Sequence, residues 1–248
     1  MRIDIMTLFP EMVMGVLGQS ITGRALQDGK AQVQAHNIRD YTTDKHGHVD
    51  DTPYGGGMGM VMQCPPIFDC YKAICANAGT RPRVVFMSPQ GKKMDQQLVR
   101  RYATQYPHVA ILCGHYEGVD QRVIDAIVDE EISLGDFVLT GGEIAAMAFC
   151  DAVLRLQEGV LADESCYTEE SHWNSLLEYP QYTKPAMWNL RPVPKVLLSG
   201  HHANIDRWRR EQSIKNTLQK RPDMLQQAQL TREDRRFLQN IQCKNKNK

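Results

Sequence analysis

The chain has 248 residues, 42% of them hydrophobic and 23% charged, and its 29 basic side chains formally cancel its 29 acidic ones. That length and apolar content allow a large buried core and exclude a disordered polymer, and no run approaches the roughly 18 apolar residues that a membrane span needs. The neutrality hides a division: up to residue 175 there are 14 Lys and Arg against 23 Asp and Glu, and beyond it 15 against 6. A basic C-terminal third on an acidic body is the footprint expected when one part grips phosphates and the other does something else.

Residues 2–8 and 31–36 read as strands, and a long polar, glycine-rich segment follows from Asn37 to about Gln63. Helical periodicity over 65–78, 95–105, 120–128 and 143–156 alternates with strand-like runs at 83–87, 109–113 and 132–139. Such alternation predicts a parallel sheet covered by helices, with ligands beyond the carboxyl ends of the strands. From Gln157 to Pro180 periodicity is lost and acidic residues accumulate, so the segment reads as a mobile linker. Beyond it a helix is expected over Asn204–Lys220, anchored by Ile205, Trp208 and Leu218 among Arg207, Arg209, Arg210 and Lys215. Pro222 interrupts, and Thr231 with Asp234 resembles a capping box that opens a last helix. The expected organisation is an α/β domain over 1–160, an acidic linker over 161–180 and a small basic all-α domain over 181–248.

Seven cysteines without a CxxC pair support neither a disulfide framework nor a zinc knuckle, and reduced, mostly buried thiols are expected. Asp4, Pro10 and Glu11 break the apolar segment that a secretion signal would need, so a cytoplasmic location is expected.

Three strand-then-turn segments carry the chemistry: FMSPQGKK (Phe86 to Lys93), ILCGHYEG (Ile111 to Gly118) and SLGDFVLTGGE (Ser133 to Glu143). Their glycines allow a ligand to approach bare main chain. Neither GxGxxG nor GxxxxGK[ST] occurs, which argues against the standard dinucleotide and P-loop folds. YGGGMGM (Tyr54 to Met60) fails both spacings; alone it reads as a flexible loop, though its glycine density suits a bulky partner such as RNA. His46, His48, Asp50 and Asp51 permit a metal-dependent hydrolase, against which stands a polar loop that bonds to itself. A catalytically silent RNA-binding module is the other competing class.

The strings RDYTTDKHGHVDDTPYGGGMGM, SPQGKK, CGHYEG, SLGDFVLTGGE, LLEYPQYTKP and VLLSGHHANIDRWR together resemble the bacterial tRNA (guanine-N1)-methyltransferases of the TrmD type, in order and over nearly the whole chain. The resemblance implies the trefoil-knotted α/β fold of the SPOUT methyltransferases, a homodimer with a shared active site, S-adenosyl-L-methionine as methyl donor and a magnesium requirement without a local ligand set. It implies methylation of the guanosine immediately 3′ of the anticodon of tRNA, position 37. By the same analogy the donor pocket comprises Met87, Ser88 and Pro89, then Gly114 and Glu117, then Leu134, Gly135, Asp136, Phe137, Val138 and Leu139 with Gly141 and Gly142. Strand core is the plainer reading of Leu134, Phe137 and Leu139. Arg155 matches the family's catalytic arginine, and Glu170, with Glu169 beside it, stands where the family usually has an aspartate as general base. Asp50, Gly57, Gly59, Arg207, Arg209 and Lys215 are the expected RNA contacts. Met58, His115 and Ala145 depart from a usual proline, arginine and proline.

Overall fold

In the computed structural model, which describes residues 1–246, the chain divides into two compact units, Met1–Ala162 and a second that begins at Asp163. The first is built on a parallel five-stranded sheet of β1 (Arg2–Thr7), β2 (Gln32–Asn37), β5 (Arg83–Lys93), β6 (His108–Cys113) and β7 (Glu130–Ser133), in the order β2-β1-β6-β5-β7. Between them lie α1 (Pro10–Leu17), α2 (Ser20–Gln27), the two-residue pair β3 (Asp50–Asp51) and β4 (Val61–Met62), α3 (Cys64–Ala78), α4 (Gln96–Gln105) and α5 (Gln121–Ile127). Helix α6 (Glu143–Leu154) follows β7.

Alternation along the strands sends successive side chains to opposite faces, and each face buries its own cluster. Ile3, Ile5, Val85, Val109 and Ile111 pack with Leu98, Val99 and Tyr102 of α4 and Phe149 and Val153 of α6. Met6, Val84, Phe86, Ala110 and Leu112 pack with Ile67, Cys70 and Ile74 of α3 and Val123 and Ile127 of α5. Local signals set the helix ends. Asp95 and Asp120 accept from the main-chain N–H groups of Leu98 (2.7 Å) and Arg122 (3.0 Å), and Gly79, at φ +67°, closes α3.

Several expectations need correction. Helices α1 and α2 fall where only a strand and a connection were expected; each is two turns long, too short to display a full periodicity. Strand β5 runs past residue 87, shifts register after Met87 and rejoins β7 with Lys92 opposite Ile132. Strand β7 occupies Glu130–Ser133 instead of 132–139, and Leu134 to Thr140 is loop. Of the seven cysteines only Cys70, Cys113 and Cys150 are buried; Cys166 and Cys243 are exposed.

The second unit contains α7 (Ser165–Thr168), α8 (His202–Lys220) and α9 (Arg232–Lys246). It is not purely helical, because β8 (Met187–Trp188) and β9 (Arg191–Pro192) form a short antiparallel hairpin. Within the expected linker, Leu176 is buried and the Leu177 N–H donates to Thr217 Oγ1 of α8 (2.8 Å), so that end of the segment packs on its own unit. Ile205 is a buried anchor of α8, but the fully buried positions are Ile214 and Thr217, with Trp208 and Leu218 half-buried. Thr231 and Asp234 form the expected reciprocal cap: the Asp234 N–H donates to Thr231 Oγ1 (3.1 Å) and the Thr231 N–H to Asp234 Oδ2 (2.9 Å). The tail CKNKNK is described only as far as residue 246. No helix among the described residues is long and apolar enough to cross a membrane.

One polar group is buried in the sheet. Asp4 of β1 is fully buried and accepts from Arg2 Nε, and its two oxygens each lie 2.7 Å from an Nε2, His36 of β2 on one and His108 of β6 on the other. Burial alone would raise its pKa, yet the bonds from His36, Arg2 and His108 hold the carboxyl well below the ordinary carboxylate range. A folded pKa below the unfolded one gives stability that is complete above about pH 4 and is lost as pH falls through the depressed value. Asp4→Asn should therefore cost about 3 kcal/mol in urea unfolding at pH 7, and the gap from wild type should close only in strongly acid solution.

Candidate active site

Strands β6, β5 and β7 are neighbours, and their carboxyl ends open into one cleft of about 180 Å³. Met87 and Ser88, both buried, and exposed Pro89 line it from β5 at the point where its register with β7 breaks; Gly114, His115, Tyr116 and Glu117 line it from the end of β6. Leu134, Phe137, Val138 and Leu139 form the wall after β7, and Gly141 and Gly142 lead into α6. Eleven of the thirteen residues expected around a donor thus meet in one place. The other two do not line it: Gly135 is buried in a turn where its N–H donates to Ser133 Oγ (3.2 Å), and Asp136 points outward to Lys93 Nζ (2.7 Å).

The cleft depends on contacts that exclude side chains. A methyl group on Gly142 would lie 2.8 Å from the Cα of Cys113 and 3.1 Å from the Gly114 nitrogen, both main chain. At this approach the Gly142 N–H donates to the Gly114 carbonyl (3.0 Å), and His115 bridges Gly141. Phe137 and Leu139 are not strand core, as their plainer reading had it, but 54% and 37% exposed, with Val138 beside them at 81%; Leu134, read the same way, is half-buried against the core but lies in loop. The wall is an apolar loop with bare main chain opposite it.

Six lining residues carry no signal that selects them in the sequence: Phe86 of β5, Tyr116, held at φ +59°, Gly118, Ile132, Ser133 and Thr140. His115 was noted only as a departure, yet its Nε2 lies 2.7 Å from Oε2 of Glu143, which is 2% exposed. No periodic signal pairs residues 28 positions apart.

The loop YGGGMGM reaches this region. The Glu117 N–H donates to the Met60 carbonyl (3.0 Å), and Gly59, at φ +87°, abuts Glu117 so closely that a methyl there would stand 2.5 Å from Oε1. Gly57 (φ +134°) and Met58 are exposed, and Asp50 pairs across β3–β4 with Met62. The loop before β3 bonds to itself: Asp44 Oδ1 accepts from the main-chain N–H groups of His46 (2.8 Å) and His48 (3.2 Å), and His48 Nδ1 lies 2.9 Å from it. Among the described residues no three His, Cys, Asp or Glu side chains converge as metal ligands.

Arg155 ends α6 in the first unit, where its N–H donates to the Asp151 carbonyl (3.1 Å). Glu170 lies in the second unit, where with Glu169, Asn174, Tyr179 and Arg209 it lines a separate cavity of about 240 Å³. The basic residues of α8 are unequal. Arg207 and Lys215 are exposed, whereas Arg209 lies over the Tyr179 ring (5.0 Å) beside Asp206 (3.5 Å), and Arg210 pairs with Asp234 (3.0 Å).

Parallel strands that end in a glycine-walled, apolar-lined cleft define an α/β protein built to hold a small molecule against main chain. A family model described as tRNA (Guanine-1)-methyltransferase TrmD matches residues 1–227. Among the similar proteins, one from Ruminiclostridium cellulolyticum is 55% identical over 224 residues, covering 90% of this chain and 96% of its own. One from Alkaliphilus oremlandii is 51% identical over 249 residues, covering 98% of this chain and all of its own, and one from Lachnospira eligens is 52% identical over 227 residues, covering 92% and 96%. All three are named tRNA (guanine-N(1)-)-methyltransferase. The chain belongs to the tRNA (guanine-1)-methyltransferase TrmD family and is a methyltransferase.

Gly142→Ala should destabilise the first unit by about 1–3 kcal/mol, since the added methyl meets backbone that cannot rotate away. Urea unfolding checks this, with Gly15→Ala, where the methyl meets open space, as the tolerated control.

Proposed function

We propose that the chain transfers the methyl group of S-adenosyl-L-methionine to N1 of the guanosine that follows the anticodon of tRNA. The observation that carries this reading is the cleft at the ends of β5, β6 and β7, in a chain whose relatives are named for this chemistry. The cleft suits the donor: Gly114, Gly141 and Gly142 let adenine and ribose approach bare main chain, and the exposed Phe137, Val138 and Leu139 offer apolar cover. Met87, Ser88 and Pro89 would hold it from the β5 side, Leu134 from the β7 side, and Glu117 would complement its positive charge, while Gly135 and Asp136 would shape the turn. When bound, this donor supplies an electrophilic methyl group.

Guanine N1 carries a proton in the keto form and has no free lone pair, so a base must remove it as the new bond forms. Glu170 takes that proton, and Arg155 faces the negative charge that develops on O6. These roles rest on the family resemblance around both residues. Arg207 and Lys215, exposed on α8, meet tRNA phosphates, and Arg209 contributes what its contacts with Tyr179 and Asp206 leave free. Asp50, Gly57 and Gly59 face the RNA. The magnesium that the resemblance implies meets no ligand set among the described residues, and no step is assigned to it.

We also propose the knotted backbone. Its support is the resemblance to the family; the close packing of Gly142 on Cys113 and Gly114, and of Gly91 on the main chain of Glu131 and Ile132, is compatible with it. A homodimer would cover Phe9, Met12 and Val16 of the first unit, which are 43–55% exposed. On this reading the chain works in the cytoplasm.

In single-turnover methylation of a tRNA transcript followed by mass-spectrometric nucleoside mapping, 1-methylguanosine is expected after the anticodon. Its absence would overturn the reading. Arg155→Ala and Glu170→Gln should each slow the chemical step about 10²- to 10⁴-fold and leave donor affinity unchanged, while Glu170→Asp retains substantial activity. If only Glu169→Gln is inactive, the base lies one residue earlier.

A further inference from the structure

The donor cleft has a support that the proposed chemistry does not use. Glu143, the first residue of α6, is a carboxylate almost wholly buried among three elements. Thr7 Oγ1, at the end of β1, donates to its Oε1 (2.6 Å), and His115 Nε2, just past β6, lies 2.7 Å from its Oε2. The short contact between Nε2 and Oε2 ties the imidazole to the first turn of α6. Further contacts fix both partners. The Phe9 N–H donates to Thr7 Oγ1 (2.9 Å), the Phe9 ring lies 5.0 Å from the imidazole, and the His115 N–H donates to Met62 Sδ (3.2 Å).

The imidazole fills the space that a side chain on Gly141 would take, since a methyl there would collide with its Cε1 and Nε2. Main chain and side chain therefore tie the same two turns. The Gly142 N–H to Gly114 carbonyl bond and the His115–Gly141 bridge join them through backbone, and the His115–Glu143 bond joins them through side chains. Both turns line the cleft, so whatever sets their separation sets its width.

We propose that His115 is a positioning residue for the methyl donor: held by Glu143, which Thr7 holds in turn, its imidazole fixes the gap between the turn after β6 and the Gly141–Gly142 turn. This rests on the reading of the cleft as the donor site. A side chain that holds a pocket open acts on ground-state affinity and leaves the barrier of the bound complex nearly untouched.

The test combines calorimetry of S-adenosyl-L-methionine and its demethylated product with steady-state methylation of a tRNA transcript. His115→Ala should raise the donor Kd and KM at least tenfold, with kcat at saturating donor within threefold of wild type and the tRNA KM unchanged. His115→Gln, whose amide N–H can still donate to Glu143, should recover most of that affinity. Thr7→Val, isosteric and lacking only the hydroxyl, should raise the donor KM by a smaller factor, and it decides the matter if His115→Ala does not fold. Donor affinity within twofold of wild type in His115→Ala, or in Thr7→Val where that variant decides, overturns the proposal. So does a His115→Gln no better than Ala, or a fall in kcat at unchanged donor KM. Wild type that fails to bind either compound overturns instead the reading of the cleft on which it rests.

Discussion

Gly142 meets the backbone of Cys113 and Gly114 with no side chain of its own between them, and the cleft exists because it does. Contacts of this kind are available only to glycine, because the position of a Cβ is already occupied by another residue's main chain. The approach also satisfies polar groups that a loop would otherwise leave bare, through the bond from Gly142 to the Gly114 carbonyl. It places the first turn of α6 beside the ends of β5 and β6. A sheet end, normally a place where connections diverge, becomes a wall.

Strand β1 carries the complementary constraint. It sits between β2 and β6, and both of its ends are fixed by buried polar groups. Near its start Asp4 gathers His36 from β2 and His108 from β6, and at its end Thr7 reaches Glu143 on α6. Apolar packing alone tolerates sliding, because Ile, Val and Leu are nearly interchangeable as neighbours. A buried carboxylate is intolerant: displacing β1 by one residue would strip Asp4 of its donors and turn it to the other face. The pair at one end and the chain at the other hold the register on which the cleft's separations depend.

Much of this was legible in the sequence, and the remainder was not for identifiable reasons. The strands at 83–87 and 109–113, the four helices of the expected α/β alternation and the Thr231–Asp234 cap are written in local periodicity and capping chemistry, and they appear close to where those signals fall. Helices of two turns, such as α1 and α2, carry too little pattern to separate from irregular chain. The error at residues 134–139 has another cause. An apolar run beside a strand looks like more strand, but Phe137 and Val138 are apolar and exposed in a loop. For the site, the glycines marked the ends of β6 and the entry to α6, whereas the bond between His115 and Glu143 depends on tertiary approach and left no trace in spacing. The basic character of α8 was visible, but not that Arg210 is committed to Asp234 and Arg209 to Tyr179 and Asp206.

A cleft of main chain and exposed apolar side chains has a consequence for recognition. Main-chain donors and acceptors have fixed positions and no rotamer entropy to lose, so a ligand that fits them binds to a preorganised surface. Such a surface has little means of adjusting to a different ligand, because its amides cannot turn. The geometry between the turns must therefore be held by other contacts, among them the one between His115 and Glu143. On the proposed reading this separates two tasks in the chain. Glycine-rich turns, held by the buried polar chain from Thr7 to His115, present the donor, and Arg155 and Glu170 act on the base. A change that loosens the first set should weaken donor binding, and a change to the second should slow a donor that is still held.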